Sequence, residues 1–116
     1  MAMDIETWKT GSGRDPVATF IRKLSDPEHE QVLHALDDLK ALGTYLYLRE
    51  DGILRKMSDI PGVSELRIKT VRGPIRIFLV FKTGKAVLIE AIYKKSQKTP
   101  SKTIKLIKYR AKEVYL

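Results

Sequence analysis

Between Val63 and Tyr93 the chain passes through three consecutive stretches of strand-forming residues. They are Val63 to Arg72, Ile75 to Lys82 and Lys85 to Tyr93, separated only by Arg72-Gly73-Pro74 and Lys82-Thr83-Gly84. No other feature restricts the fold as tightly. Links this short cannot carry a parallel crossover, which takes a dozen residues or more, so neighbouring strands must form an antiparallel meander. The middle stretch, Ile75-Arg76-Ile77-Phe78-Leu79-Val80-Phe81, is apolar at nearly every position. A half-buried strand would alternate, so this one is expected at the centre of the sheet and covered on both faces.

Helix signals lie on either side of the meander. Asp15-Pro16 places a capping residue before a proline at the first helical position, and Val17, Phe20, Ile21 and Leu24 follow at helical spacing. Ser25 breaks that run and Asp26-Pro27 repeats the signal, with Glu28 and Glu30 suited to the positive end of a helix dipole. Val32, Leu33, Leu36 and Leu39 line one face of this second helix, and Gly43 terminates it. Met3 to Trp8 alternates weakly, as a short first strand would, whereas Tyr45 to Asp59 carries no clear period. Thr99-Pro100 opens a last helix with one stripe of Ile104, Ile107, Ala111, Val114 and Tyr115 and an adjacent one of Lys105, Lys108 and Lys112. The order β-α-α-β-β-β-α predicts an α+β fold in a single domain over residues 1–116. An N-terminal helical hairpin should pack on a twisted antiparallel sheet of three to five strands, with helices on one side and a helix at the C-terminus.

Charge is sorted along this chain in a way that packing does not require. Met1 to Ile60 holds 8 Lys and Arg against 11 Asp and Glu, a net of −3. Pro61 to Leu116 holds 14 against 3, a net of +11, and together they give the overall +8. Scattered lysines would serve solubility without segregation; a strongly basic half fits a polyanion, whose phosphates release counterions when neutralised.

Several chemistries are disfavoured. There is no cysteine, which excludes disulfides and thiolate metal sites. Apolar runs fall well short of the roughly 20 residues that span a bilayer, and Met1-Ala2-Met3-Asp4-Ile5-Glu6 lacks the layout of an export signal. A cytoplasmic location without membrane attachment is therefore expected. Gly11-Ser12-Gly13 lacks the Lys-Ser/Thr ending of a nucleotide loop, and His29 and His34 are five residues apart, which turns the imidazoles onto different helix faces. The basic half has no histidine and too few acids to hold paired metal ions, so neither a bound metal nor another cofactor is expected.

Two features of the basic half have competing readings. Arg76 interrupts the apolar central strand, and Arg67 lies on the polar face of the strand before it with Glu65 and Lys69. A guanidinium in a sheet needs a fixed partner or a cleft, so the choice lies between an ion pair, with Glu65 or Glu90, and a two-pronged phosphate clamp. The segment Tyr93-Lys94-Lys95-Ser96-Gln97-Lys98-Thr99-Pro100 is the densest in cations. It reads either as a solvated turn or as a phosphate-binding exit with Tyr93 stacking an unpaired base.

The segments Ser64-Glu65-Leu66-Arg67-Ile68, Ile75-Arg76-Ile77-Phe78 and Ala91-Ile92-Tyr93-Lys94-Lys95-Ser96-Gln97-Lys98-Thr99-Pro100, in this order, resemble the RelE/HigB toxin superfamily. The closest likeness is to its phage-derived HigB-like branch, and it runs from about Trp8 to Tyr115. The resemblance implies a RelE-like fold and the toxin half of a type II toxin–antitoxin pair. It further implies a metal-independent, ribosome-dependent mRNA endonuclease that arrests translation by 2′-hydroxyl attack on the neighbouring phosphate. Its implied partners are the ribosome, mRNA and a cognate antitoxin of helix-turn-helix, HigA-like type. Carried over by position, Arg67 and Arg76 fall to the scissile phosphate, and Lys94 and Lys95 to charge stabilisation or proton shuttling. Tyr93, Lys98, Lys69, Lys105 and Lys108 are then the RNA-binding candidates. This chain has Ser101 where some relatives have a tyrosine after the basic turn, which leaves the general acid and base open, with Tyr109 and Tyr115 as substitutes. Two further readings stand beside the nuclease: the same fold as a gyrase-poisoning toxin, as in related ParE proteins, or a basic RNA-binding module without chemistry.

Overall fold

The computed structural model describes residues 3–95 and 98–115. Its elements are β1 (Asp4–Thr7), α1 (Pro16–Arg22), α2 (Asp26–Leu42), a 3-10 helix (Gly43–Leu48), β2 (Leu54–Lys56), β3 (Ser64–Ile68), β4 (Ile75–Lys82), β5 (Lys85–Tyr93) and α3 (Ser101–Tyr115). The helix starts follow the expected chemistry. The Asp15 side chain accepts from the Ala18 N–H at 3.0 Å and from the Thr7 hydroxyl, so one carboxylate caps α1 and fastens it to the end of β1. Burial pushes the Asp15 carboxyl up, but these two donors together with the Lys9 ammonium outweigh it and hold the group below its usual value.

Ser25, which reads in sequence as a break, is the N-cap of α2. Glu28 reaches back to the Ser25 N–H at 3.2 Å and hydroxyl at 2.8 Å, and Pro27 occupies the first turn. At the other end Gly43 sits at φ +55°, a left-handed conformation that L side chains adopt at a cost, and its N–H closes on the Leu39 carbonyl.

The strands form one sheet in the order β1-β5-β4-β3-β2. The meander β3-β4-β5 is antiparallel, as is β2 on β3, but β1 lies parallel to β5. The sheet is thus mixed and not wholly antiparallel. β1 reaches its place through the whole helical hairpin, so no tight turn dictates its direction. The stretch without a clear period holds the 3-10 helix and β2, and the Val63–Arg72 stretch keeps only Ser64–Ile68 in the ladder before turning.

Helices cover both faces of the sheet, which corrects the expectation of a one-sided layer. Ile75, Ile77 and Leu79 of β4 join Val17, Val32, Leu39 and Leu66 under α1 and α2. Phe78 and Val80 join Val63, Val87, Ile89, Ile107 and Ala111 under α3. Each of those β4 residues is fully buried, which accounts for the missing alternation in sequence. Burial of side chains this size contributes about 1.5–3 kcal/mol apiece and locks the central strand in register.

One irregularity decides where the end of β5 points. Between Phe78 and Leu79 the pairing jumps from Glu90 to Leu88, so β5 carries one extra residue. Before this β-bulge, Ala86 and Leu88 face the hairpin; after it, Ala91 and Tyr93 do, while Ile92 faces α3. The carbonyl of Ile89, at the bulge, accepts from Arg110 Nη1 at 2.8 Å. Arg110 is itself buried, lies 3.5 Å from Glu90 and stacks over the Trp8 ring at 4.5 Å. One basic-half arginine is therefore structural, and Glu90 belongs to it and not to Arg76. Among the described residues no helix is long and apolar enough to cross a membrane.

A cationic hollow around Arg76

Arg76 and Arg67 are directly opposed partners across β4 and β3. Alternation from Phe78 and Val63 places both on the α3 face. Like charges opposite one another repel, so the pair demands an anion. Glu65, two residues from Arg67 on the same face, supplies one: its Oε2 is 2.9 Å from Arg76 Nη1 and its Oε1 is 3.6 Å from Arg67 Nε. The Arg76 and Glu65 side chains are about nine-tenths buried, whereas that of Arg67 is 36% exposed. The ion pair proposed for Arg76 exists, with Glu65, yet a single carboxylate answers two guanidiniums. One positive charge remains at the junction.

The surroundings add to that excess. Arg67, Lys69, Arg76, Lys94 and Lys95 line one hollow of about 590 Å³ at the end of the sheet. Its only carboxylate among the described residues is Asp51, which Arg49 holds at 2.6 Å. A second hollow, of about 430 Å³, opens on the other side of Arg76 between β2 and the start of α3, with Arg55, Lys56, Glu65, Lys98, Thr99 and Ser101 on its walls. A smaller cleft of about 160 Å³ joins Arg76 to Lys94, Lys95, Lys98 and Thr99. Arg76 borders all three spaces. Strand β4 fixes it from within the core, while Lys94 is placed by its N–H bond to the Pro74 carbonyl at 2.8 Å.

The sequence candidates sort as follows. Arg67, Arg76, Lys94, Lys95 and Lys69 converge on the first hollow, and Lys98 borders the second and third. Lys105 and Lys108 are exposed on α3 and line none of the three, so they belong to a flanking surface. Ser96 and Gln97 of the basic segment lie outside the described residues. Tyr109 and Tyr115 do not border these hollows either, and the Tyr115 hydroxyl donates to the Gly62 carbonyl at 3.0 Å.

Tyr93 is a correction. The bulge turns its ring to the hairpin face, where it packs against Phe20 with centroids 5.4 Å apart. Its hydroxyl donates to Glu28 Oε2 at 2.6 Å. That bond, assisted by Ser25, holds the Glu28 carboxyl below the usual glutamate range, and the same bond raises the Tyr93 phenol. The ring is thus engaged on the hairpin side, while Tyr93 also borders the smallest cleft beside Arg76 and Lys94.

Sequence reasoning missed Arg55 and Lys56, which bring β2 to the second hollow. Their signal is weak because Leu54-Arg55-Lys56 is too short for a period, although cations at an exposed edge strand are themselves a recognisable pattern.

A small α+β domain with a mixed sheet, a helical hairpin on one face, and a cluster of cations around a buried arginine on the other is the class these observations define. The chain belongs to the family described as Phage derived protein Gp49-like (DUF891), whose model matches residues 19–112. The match takes in every cation that lines the three hollows. No curated protein matches the chain.

Proposed function

We propose that this protein is the toxin of a type II toxin–antitoxin pair and acts as a metal-independent mRNA endonuclease on the ribosome. The observation that carries this reading is the opposed Arg67–Arg76 pair with one shared carboxylate, set among Lys69, Lys94 and Lys95. Two guanidiniums short of one anion suit a phosphodiester, and charge-assisted bonds to its non-bridging oxygens strengthen as the phosphorane develops. The resemblance to RelE/HigB toxins, the membership of a phage-derived family and the charge split all support the same reading.

In this account Arg67 and Arg76 hold the scissile phosphate, and Lys94 and Lys95 neutralise charge on the departing side. Lys69, Lys98, Lys105 and Lys108 track the neighbouring backbone, with Lys105 and Lys108 reaching ribosomal or messenger phosphates beyond the hollow. A helix-turn-helix antitoxin of HigA-like type neutralises the protein.

Induced expression followed by transcriptome-wide mapping of RNA 5′ ends tests the reading. Growth arrest with new 5′-hydroxyl ends inside coding regions is expected, and Arg76→Ala should abolish both. Arrest with intact mRNA and DNA damage would instead place the protein with gyrase poisons.

A further inference from the structure

We propose that Glu65 is the proton acceptor for the attacking 2′-hydroxyl, an inference that rests on the mRNA-nuclease reading. Glu65 is 7% exposed, yet its side chain forms part of the wall of the second hollow. Its two oxygens are used unequally. Oε2 accepts from Arg76 at 2.9 Å, whereas the closest approach of Arg67, from Nε to Oε1, is 3.6 Å and beyond hydrogen-bond reach. A carboxylate oxygen with open lone pairs beside two phosphate-binding guanidiniums is placed to accept a proton from the sugar of the same nucleotide.

Other acceptors are set aside by their engagements or, for Asp59, by an exposed position away from both arginines. Asp51 is held by Arg49 and by the Ile53 N–H, and Glu90 by its own neighbour's N–H and by Arg110. Glu113 accepts from Trp8. Asp59 borders the second hollow but sits in an exposed turn and makes no ion pair with either arginine. The groups that face Glu65 are Arg55 opposite it on β2, Arg67 and Arg76 on β3 and β4, and Lys98 and Ser101 at the start of α3.

The step balances without a co-reactant. Glu65 Oε1 takes the 2′-hydroxyl proton as O2′ bonds to phosphorus, and the P–O5′ bond breaks. The departing O5′ takes its proton from the ammonium of Lys94 or Lys95, giving a 2′,3′-cyclic phosphate and a 5′-hydroxyl. Base and lysines border different hollows, and Arg76 lines both.

The test is single-turnover cleavage of ribosome-bound mRNA at neutral pH, with wild-type, Glu65→Gln and Glu65→Asp proteins checked for folding by thermal denaturation. A lost general base predicts a fall of about 10²–10⁴-fold in the saturating rate of Glu65→Gln, with the half-saturating concentration little changed. Glu65→Asp should cut faster than Glu65→Gln though more slowly than wild type, and it serves as the base-retaining variant if Glu65→Gln does not fold. An mRNA with a bridging sulfur at the scissile 5′ position needs no proton on departure, so it should rescue Lys94→Gln or Lys95→Gln and leave Glu65→Gln slow. A folded Glu65→Gln that keeps the wild-type rate, a folded Glu65→Asp no faster than Glu65→Gln, or a Glu65→Gln rescued by sulfur would overturn the assignment. Failure of the wild type to cut mRNA would remove the nuclease reading itself.

Discussion

Glu28 and Glu65 are both buried carboxylates, one on each face of the same sheet, and they are held in opposite ways. Glu28 is satisfied by neutral donors, the Tyr93 and Ser25 hydroxyls and the Ser25 N–H, inside an apolar cluster. Glu65 is held by guanidiniums and borders open space. The first arrangement completes a helix start and pins the end of β5 to the hairpin, so its chemistry is finished within the fold. The second leaves cations over, so its chemistry is finished only by something that binds. Burial alone does not mark a functional charge; the balance among its partners does.

The largest effect should come from breaking the second arrangement. Arg76→Ala strands a buried carboxylate at a cost of about 3–5 kcal/mol in stability, measured by chemical denaturation. It should also slow mRNA cleavage by at least about 10²–10³-fold, the loss of one transition-state donor, which leaves no cleavage detectable in cells or in a single-turnover assay of ordinary length. Replacing Arg76 and Glu65 together by Met and Leu should recover most of the stability and none of the activity, because the apolar pair needs no desolvated charge. A double variant that stayed as unstable as Arg76→Ala would show that the pair holds the fold.

Acid separates the two faces next. Because the folded pKa of Glu28 is depressed, its contribution to stability is complete above the ordinary glutamate value, about 4.3, and is lost as pH falls through the lower folded value. Glu28→Gln should be less stable than wild type at neutral pH and should lack that part of the acid slope in urea titrations. Tyr93 runs the other way. Its raised phenol contributes fully below about pH 10 and loses that contribution as pH rises through the folded value, a decline absent from Tyr93→Phe. Tyr93→Phe should cost about 1–2 kcal/mol for the missing hydrogen bond and change cleavage less than tenfold.

The smallest effect belongs to the flank. Lys105→Gln and Lys108→Gln should each lower the salt-dependence slope of binding to ribosome-bound mRNA by about one, without altering the saturating rate. A rate loss equal to that of Arg76→Ala would extend the site onto α3.

Much of the fold was legible because turn chemistry and periodicity pointed the same way. Asp15-Pro16, the glycine turns and the unbroken apolar run from Ile77 to Phe81 each had one sensible reading. The placement of Arg67 beside Arg76 was legible too, since both interrupt strands that must pair. What escaped was set by tertiary context. The side of the sheet taken by α3 depends on which apolar stripe outcompetes the other for β4, and β4 offers both. The bulge opposite Phe78 and Leu79 leaves no mark in a stretch where Ala86 to Ile89 are all apolar, and one slipped residue sends Tyr93 to the wrong face. β2 was too short to show a period, so Arg55 and Lys56 went unseen. Arg110 carries no signal of its own in the sequence, because Trp8 and the Ile89 carbonyl that hold it are distant along the chain.

The most direct test compares two folded variants from the two faces, Arg76→Ala and Tyr93→Phe, in single-turnover cutting of ribosome-bound mRNA. Tyr93→Phe should cut at close to the wild-type rate, with Arg76→Ala inert although its circular dichroism is native. Native-like Arg76→Ala cutting as fast as wild type, or Tyr93→Phe failing as completely as Arg76→Ala, would contradict the division of labour between the faces.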